Sequence, residues 1–240
     1  MIAVLACEFA KLKRSLVLLL CAAAPTFVSI LAFVMLLDRK KPEAWGELLI
    51  GGSGLWAFFM LPMTVTALTV LVAQIEHGPR AWNHILTLPV PRWRFFAAKA
   101  AVVMTLTAAM SVVLFVQLPL AGLLAQAVKP GCLAGSVPLR EFAEVLVRMY
   151  LGSVLMVALQ LWASLHFRSF VPPLVLGIGG TFVAVVATGA RQGAYFPWLI
   201  PVNALASDVA RANLALGVGL WGGVAVGVLM LAFLSRRQPA

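Results

Sequence analysis

The sequence predicts an all-α polytopic membrane protein with six transmembrane helices, forming a single transmembrane domain over residues 1–240. Of its residues 62% are hydrophobic and only 11% are charged, whereas a soluble domain carries about a quarter charged residues. Apolar runs recur along the whole chain, each long enough to cross ~30 Å of hydrocarbon with roughly 20 residues. These two observations exclude a soluble protein built around a large core.

The first element is an amphipathic helix over residues 1–14. Apolar side chains recur there at spacings of three and four, namely Ile2, Leu5, Phe9 and Leu12. This pattern predicts an elbow helix lying in the membrane interface, with its cations at the headgroups. The alternative is a signal peptide, but the apolar run continues to Leu37, beyond the 7–15 residues of a signal core. We therefore expect the first helix to remain uncleaved.

Hydropathy then predicts spans at 15–37, 49–74, 99–127, 143–166, 171–189 and 212–234. Placing both termini in the cytoplasm gives the inside segments ten Lys and Arg and the outside segments seven. The inside ten are Lys11, Lys13, Arg14, Arg80, Arg92, Arg94, Lys99, Arg168, Arg236 and Arg237; the outside seven are Arg39, Lys40, Lys41, Lys129, Arg140, Arg191 and Arg211. Because cytoplasmic loops collect Lys and Arg, this orientation is favoured, and the net charge of +10 indicates topology rather than nucleic-acid binding.

Two connections are more than hairpins. Residues 75–98 contain Pro79, Pro89 and Pro91, which break helices and restrict the residue before them. Between the prolines we expect one short helix, Arg80 to Leu88, lying along the cytoplasmic membrane face. The second connection, 190–211, is too apolar for a free loop. We interpret it as an outer re-entrant or interfacial element, which is tolerated where protein buries its irregular backbone.

The sequence offers little catalytic chemistry. None of its lysines follows a glycine, so a GxxxxGK[ST] phosphate loop is absent. Gly51-Gly52-Ser53-Gly54 is similar to the GxSG motif of rhomboid-like intramembrane serine proteases, a remote alternative function. That chemistry needs a histidine base within reach of the serine. The three histidines, His77, His84 and His166, are all expected at the inner face, some 30 Å from Ser53.

Several polar and small residues within the spans admit two interpretations each. Glu144 and Arg148 are four residues apart on one helix face. They either form an outer gate or extend their charged ends to the headgroups. Gln117 and Gln160 either line a translocation path or bond to neighbouring helices. Gly219, Gly223 and Gly227 repeat every fourth residue, a spacing that lets two helices approach closely, within this chain or between two subunits.

The order of these parts resembles the type-2 ABC exporter permeases, and in particular their bacteriocin-immunity and antimicrobial-peptide resistance branch. The most specific local similarity is the loop sequence: Glu76, then Gly78-Pro79, then Leu86-Thr87-Leu88-Pro89-Val90-Pro91-Arg92, then Ala97-Ala98-Lys99. Pro91 departs from the family pattern, which often has Ser there.

The resemblance implies that the loop is a coupling helix bound to a separate ATP-binding subunit, which holds the ATP and Mg while this chain binds no cofactor. The residues it assigns to that contact are Glu76, Arg80, Trp82, His84, Arg92 and Arg94. It also implies a second permease subunit, identical or paralogous, in a bacterial inner membrane, and a hydrophobic or amphipathic substrate. The alternative from another class is a membrane scaffold or assembly subunit that transports nothing.

Overall fold

The structure, a computed structural model, describes residues 1–13, 15–77 and 90–236. Its α-helices are α1 Ile2–Leu12, α2 Leu16–Asp38, α3 Trp45–Leu55, α4 Leu61–His77, α5 Trp93–Val128, α6 Leu139–Gly152, α7 Val154–His166, α8 Val171–Ala187, α9 Val209–Gly217 and α10 Gly223–Ser235. Two π-helical turns, Trp56–Met60 and Val218–Gly222, join α3 to α4 and α9 to α10. Two short 3-10 helices, Arg191–Tyr195 and Pro201–Leu205, follow α8.

Within the part of the chain that the structure describes, five continuous helical stretches are long and apolar enough to cross a membrane: Leu16–Asp38, Trp45–His77, Trp93–Val128, Leu139–His166 and Val209–Ser235. Each covers one predicted span. Helix α8 covers the remaining one, but its 17 residues extend only about 25 Å at 1.5 Å per residue. The count of six spans therefore remains a prediction.

The third stretch begins earlier than predicted, at Trp93 instead of Lys99. A lysine normally marks the border of an apolar span, because its charge is costly to bury. Here the side chain of Lys99 is only 1% exposed, and two carboxylates pair with it. Since that charge is compensated inside the protein, α5 continues through it for another turn and a half towards its N-terminus.

Prolines account for an irregularity in the second stretch. Pro62, at the second position of α4, has no N–H to donate, and its ring would clash with the carbonyl four residues earlier. The preceding turn, Trp56–Met60, is wound as a π-helix, a form that appears mostly as single-turn bulges within α-helices. The residues of this turn include Trp56, which is fully buried in the core.

Glycines allow several close helix contacts. A Cβ on Gly122 of α5 would lie 2.6 Å from the ring of Trp45, and one on Gly52 of α3 would lie 2.5 Å from Leu118. A Cβ on Gly223 would lie 2.5 Å from the backbone nitrogen of Leu155, and one on Gly219 would meet the backbone of Gly152. A Cβ on Gly227 would meet nothing within 4 Å. Two of the three regularly spaced glycines therefore pack within this chain, and the third lies open.

The segment after α8 packs into the protein rather than forming a free loop. Trp198, Leu199 and Ile200 are all 5% exposed or less. Asn203 secures the segment, since its amide donates to Leu199 O at 3.0 Å and its carbonyl oxygen accepts from Arg211 Nε at 2.8 Å. The first bond satisfies a backbone carbonyl of this irregular segment, and the second joins the segment to α9. Its predicted re-entrant position in a membrane remains a prediction.

We call the end of the molecule that carries β1 (Glu43–Ala44) and β2 (Leu133–Ala134) the far end. The two strands pair in parallel, Glu43 with Leu133 and Ala44 with Ala134. At the opposite, basal end lie α1, the last turn of α4 and the first turns of α5. Residues 78–89, which contain the whole of the predicted helix Arg80 to Leu88, lie outside the described residues.

A candidate coupling site at the basal end

Four charged side chains form a closed ring of ion pairs at the basal end. Lys11 Nζ lies 2.5 Å from Glu8 Oε1 and 2.9 Å from Glu76 Oε1. Lys99 Nζ lies 2.7 Å from Glu8 Oε2 and 2.5 Å from Glu76 Oε2. Each of the four carboxylate oxygens thus has one lysine, and the ring has no net charge. We call these four residues the ion-pair ring.

The ring joins three helices that are distant in sequence. Glu8 and Lys11 lie three apart on α1, Glu76 lies in the last turn of α4, and Lys99 lies near the start of α5. Glu76 and Lys99 are each 1% exposed and Glu8 is 5% exposed. Charges are buried to this degree only when they are paired. Removing one partner of such a pair typically costs 3–5 kcal/mol, because the other charge is left uncompensated.

The two groups on α1 respond to this environment. Burial by itself would raise the pKa of Glu8, but the charge of Lys99 and the hydrogen bond from Lys11 outweigh it, so the pKa lies below its ordinary value of 4.5. Burial would lower the pKa of Lys11, but hydrogen bonds to Glu8 and Glu76 hold it above 10.5. Both residues therefore favour their charged forms in the folded protein.

Further polar contacts fix the end of α4 against the neighbouring helices. His77 Nε2 lies 3.2 Å from the carbonyl oxygen of Ser164 on α7. Gln74 Nε2 donates to the carbonyl oxygen of Arg168 at 3.3 Å. Together with the ion-pair ring, these contacts hold the residues that flank the predicted coupling helix in a defined place.

The structure places only part of the predicted coupling set. Glu76 belongs to the ion-pair ring, whereas Arg80, Trp82 and His84 lie outside the described residues. Arg92 caps the start of α5, and its carbonyl accepts from Phe95 N at 3.1 Å. The guanidinium of Arg94 lies 5.7 Å from the centre of the Trp93 ring. A role for these residues in binding an ATPase remains a prediction.

The sequence predicts that the cations of α1 lie at the headgroups, whereas Lys11 binds the carboxylates of Glu8 and Glu76. Glu8 is buried, and Glu8 and Lys11 are both bound to side chains of other helices. Lys99, assigned only a topological role, is also a ring member. The sequence does contain a signal for the ring: an acid and a base on α1, and a second acid and base, Glu76 and Lys99, at the two borders of residues 77–98. That complementarity becomes meaningful only once the three helices are known to meet.

The other predicted site residues have partners within the chain. Gln160 is fully buried and donates to the carbonyl of Pro173 at 2.6 Å. Gln117 accepts from Thr26 Oγ1 at 3.1 Å. Both therefore make contacts between helices, which is one of the two interpretations left open.

Glu144 and Arg148 do not pair with each other as their spacing allowed. Glu144 accepts from Arg140 at 3.1 Å, and Arg148 donates to Asn213 at 2.6 Å. A gating role for the two stays a prediction.

The geometry does not support the protease alternative. Ser53 lies 24 residues before His77 on one continuous helical stretch, which is roughly 36 Å at 1.5 Å per residue. His166 packs against Phe167 and Phe233 at the end of α7. His84 lies outside the described residues. Neither described histidine is placed to act as a base for Ser53.

The fold and the basal site define the chain as a multi-pass helical membrane protein. It belongs to the ABC-2 transporters, since the family described as ABC-2 family transporter protein matches residues 4–184. The chain is thus a permease subunit of an ABC transporter, in which ATP hydrolysis belongs to a separate subunit. No curated protein and no solved structure matched the chain.

Proposed function

We propose that this permease is an exporter driven by a separate ATP-binding subunit that binds the segment between His77 and Trp93. The observation that carries the proposal is the ion-pair ring, because Glu76 and Lys99 flank this segment and are paired to each other. A displacement of the segment would move α4, α5 and α1 together. The ring thus provides a physical route from an ATPase to the membrane helices.

The complete transporter in this proposal contains two permease chains, identical or paralogous, and ATPase subunits that hold ATP and Mg. It lies in a bacterial inner membrane with both termini in the cytoplasm, so that the basal end faces the ATPase. The substrate is hydrophobic or amphipathic, with antimicrobial peptides or drugs as candidates. The apolar composition of the chain, 62% hydrophobic residues, supports a substrate of this class.

The first test is recovery of the ATPase. The tagged chain is purified from its native membranes in mild detergent, and its partners are identified by mass spectrometry. We expect a stoichiometric ATP-binding subunit, and we expect Arg92→Glu to lose it. The matched control is Arg140→Glu, the same charge reversal at a highly exposed arginine at the far end, which should retain the partner.

A scaffold that transports nothing is the second candidate. Recovery of the chain without any nucleotide-binding subunit would favour it and overturn the proposal. If both variants keep the partner, the ATPase binds elsewhere, and the role given to the 77–93 segment is wrong while the transporter assignment stands.

A further inference from the structure

A cleft runs along the surface between α2 and α3, from the far end of the molecule towards its middle. Its volume is about 230 Å³. Val28, Leu31 and Met35, spaced three and four residues apart, line it on α2, and Leu48 and Leu55 line it on α3. Val28 and Leu48 are buried, whereas Met35 is 55% exposed. The cleft therefore has a closed apolar floor and is open towards the surroundings of the helix bundle.

The length of the cleft matches one leaflet of a bilayer. Helix α2 has 23 residues, about 34 Å at 1.5 Å per residue, which is close to the ~30 Å of a hydrocarbon core. Arg39, the residue that follows α2, lines one end of the cleft, and Val28 lines the other. These two positions are about 16 Å apart along the helix. The cleft thus extends from the headgroup level to the middle of the bilayer, the depth range of a lipid acyl chain.

Charged side chains of both signs line the cleft at the headgroup level, namely Arg39, Glu43 and Glu47. Arg39 Nε lies 3.2 Å from Glu43 Oε2, and the Arg39 side chain is 55% exposed, so the remaining donors of its guanidinium are accessible to an anion. Glu47 is exposed, and no ion pair to it occurs among the described residues. Arginine suits phosphate, and a carboxylate suits an ammonium group. This end of the cleft is therefore complementary to a headgroup that carries both.

A glycine keeps the middle of the cleft open. Gly51 of α3 lines the cleft, and a Cβ there would meet nothing within 4 Å. The neighbouring Gly52 differs, because a Cβ there would lie 2.5 Å from Leu118. Glycine within a helix costs stability relative to alanine, and at Gly52 close helix packing accounts for it. At Gly51 no helix of this chain uses the space, which is available to a chain that enters from the lipid.

We propose that this cleft binds one membrane lipid of the phosphatidylethanolamine type. One acyl chain lies along Leu31, Met35 and Leu55 beside Gly51. The phosphate accepts hydrogen bonds from Arg39, and the ammonium group donates to Glu47. Phosphatidylglycerol has no ammonium group, and the ammonium of phosphatidylcholine has no N–H to donate, so neither lipid can make the bond to Glu47. The proposal concerns the chain by itself and does not depend on its ATPase.

The first test measures the headgroup preference of the purified chain in detergent. Dioleoyl phosphatidylethanolamine, phosphatidylcholine and phosphatidylglycerol are added at equal concentration, and binding of the first lipid is quantified by native mass spectrometry. We expect the Kd for phosphatidylethanolamine to be about threefold lower than for the other two, the scale of one exposed charge pair. Glu47→Gln should remove this preference by removing the charge, and Gly51→Leu should remove it by filling the cleft.

Two matched variants are the controls. Glu141→Gln removes the same charge from the first turn of α6, outside the cleft. Gly179→Leu makes the same substitution on α8, where a Cβ would also meet nothing within 4 Å. Both should keep the preference, and thermal midpoints establish that all four variants are folded. Equal Kd values of the native chain for the three lipids would overturn the proposal, as would an equal loss of preference in the variants and their controls.

The second test locates the lipid on the native chain and needs no variant. The chain is reconstituted in dioleoyl phosphatidylcholine vesicles that contain a trace of phosphatidylethanolamine with a diazirine in its acyl chain. After illumination, the labelled residues are mapped by mass spectrometry. We expect labelling to concentrate at residues 28–35 and 51–55, and excess unlabelled phosphatidylethanolamine to suppress it. Helix α8 is the internal reference, since Phe182 and Val186 are 61% and 86% exposed. Equal labelling of α8 and the cleft would show surrounding lipid only and contradict the proposal.

Discussion

At the scale of single residues, Lys99 is the side chain on which both acids of the ion-pair ring depend. It is 1% exposed and lies within 2.7 Å of Glu8 and 2.5 Å of Glu76. We expect Lys99→Met to destabilise the protein by about 3–5 kcal/mol, the usual cost of leaving a buried charge unpaired. The measurement is the thermal midpoint of the purified chain.

The control for this change is Lys40→Met, which removes the same charge from an exposed position and should alter stability by less than about 1 kcal/mol. Combining Lys99→Met with Glu76→Gln should recover part of the loss, since Lys11 alone leaves the two acids with one excess negative charge, and the second change removes it. If Lys99→Met is no more harmful than Lys40→Met, the ring does not stabilise the fold.

The ring also predicts how stability depends on pH. The pKa of Glu8 is lower in the folded chain than its ordinary 4.5, so its contribution is present above pH 4.5 and is lost as the pH falls through the lowered value. The pKa of Lys11 is raised above 10.5, so its contribution is present below pH 10.5 and is lost at higher pH. Thermal midpoints should therefore fall towards both extremes.

The variant Glu8→Gln separates this effect from general acid denaturation. Its midpoint should be lower than that of the native chain at pH 7, and the difference should shrink as the pH falls below 4. A difference that stays constant from pH 7 to pH 3 would show that ionisation of Glu8 contributes nothing.

At the scale of elements, the contact between α10 and α7 depends on Gly223 and not on Gly227. A Cβ on Gly223 would lie 2.5 Å from the backbone nitrogen of Leu155, and one on Gly227 would meet nothing within 4 Å. We expect Gly223→Ala to lower the thermal midpoint, because two backbones must move apart. Gly227→Ala should be neutral or stabilising by up to about 1 kcal/mol, as alanine favours a helix over glycine.

Each of these two variants is the control for the other, because they are the same substitution one helical turn apart. Equal effects would mean that α10 does not pack on α7 through this face. A loss of stability at Gly227→Ala alone would instead indicate that a second subunit covers the open position.

The sequence predicts those features of the helices that depend on neighbouring residues, and it does not predict those that depend on residues far away in the chain. The five long apolar stretches follow from hydropathy alone, because the cost of exposing backbone and polar groups to lipid acts on each segment separately. Spacing indicates which side chains can pair, as for Glu144 and Arg148, but it does not choose between competing partners. Arg140 is equally well spaced for Glu144, and Asn213 on another helix takes Arg148.

The ion-pair ring could not be predicted from the sequence alone. It depends on α1, α4 and α5 meeting at one level, and a ring between residues 91 positions apart leaves no periodic pattern.

At the scale of the whole molecule, the 17-residue helix α8 decides the topology. If α8 crosses the membrane, the chain has six spans and both termini lie on the same side. If it does not, the C-terminus lies opposite the N-terminus. We expect both termini in the cytoplasm, so green fluorescent protein fused after residue 240 should fluoresce and alkaline phosphatase fused there should be inactive.

A matched pair of fusions after Phe170, just before α8, completes this test. With six spans, these fusions also report the cytoplasmic side, and fusions after Gly189 report the opposite side. The same reporter activity before and after α8 would contradict the six-span topology.

The ion-pair ring has a consequence for how the chain is made. Glu8 leaves the ribosome long before Lys99, its partner 91 residues later. At about 5–20 residues per second, Glu8 waits roughly 5–20 seconds for that partner. Until then the charges on α1 need water, which holds the helix at the membrane surface. The ion-pair ring can form only after α5 has been synthesised, so the first half of the protein assembles only once its third long helix is present.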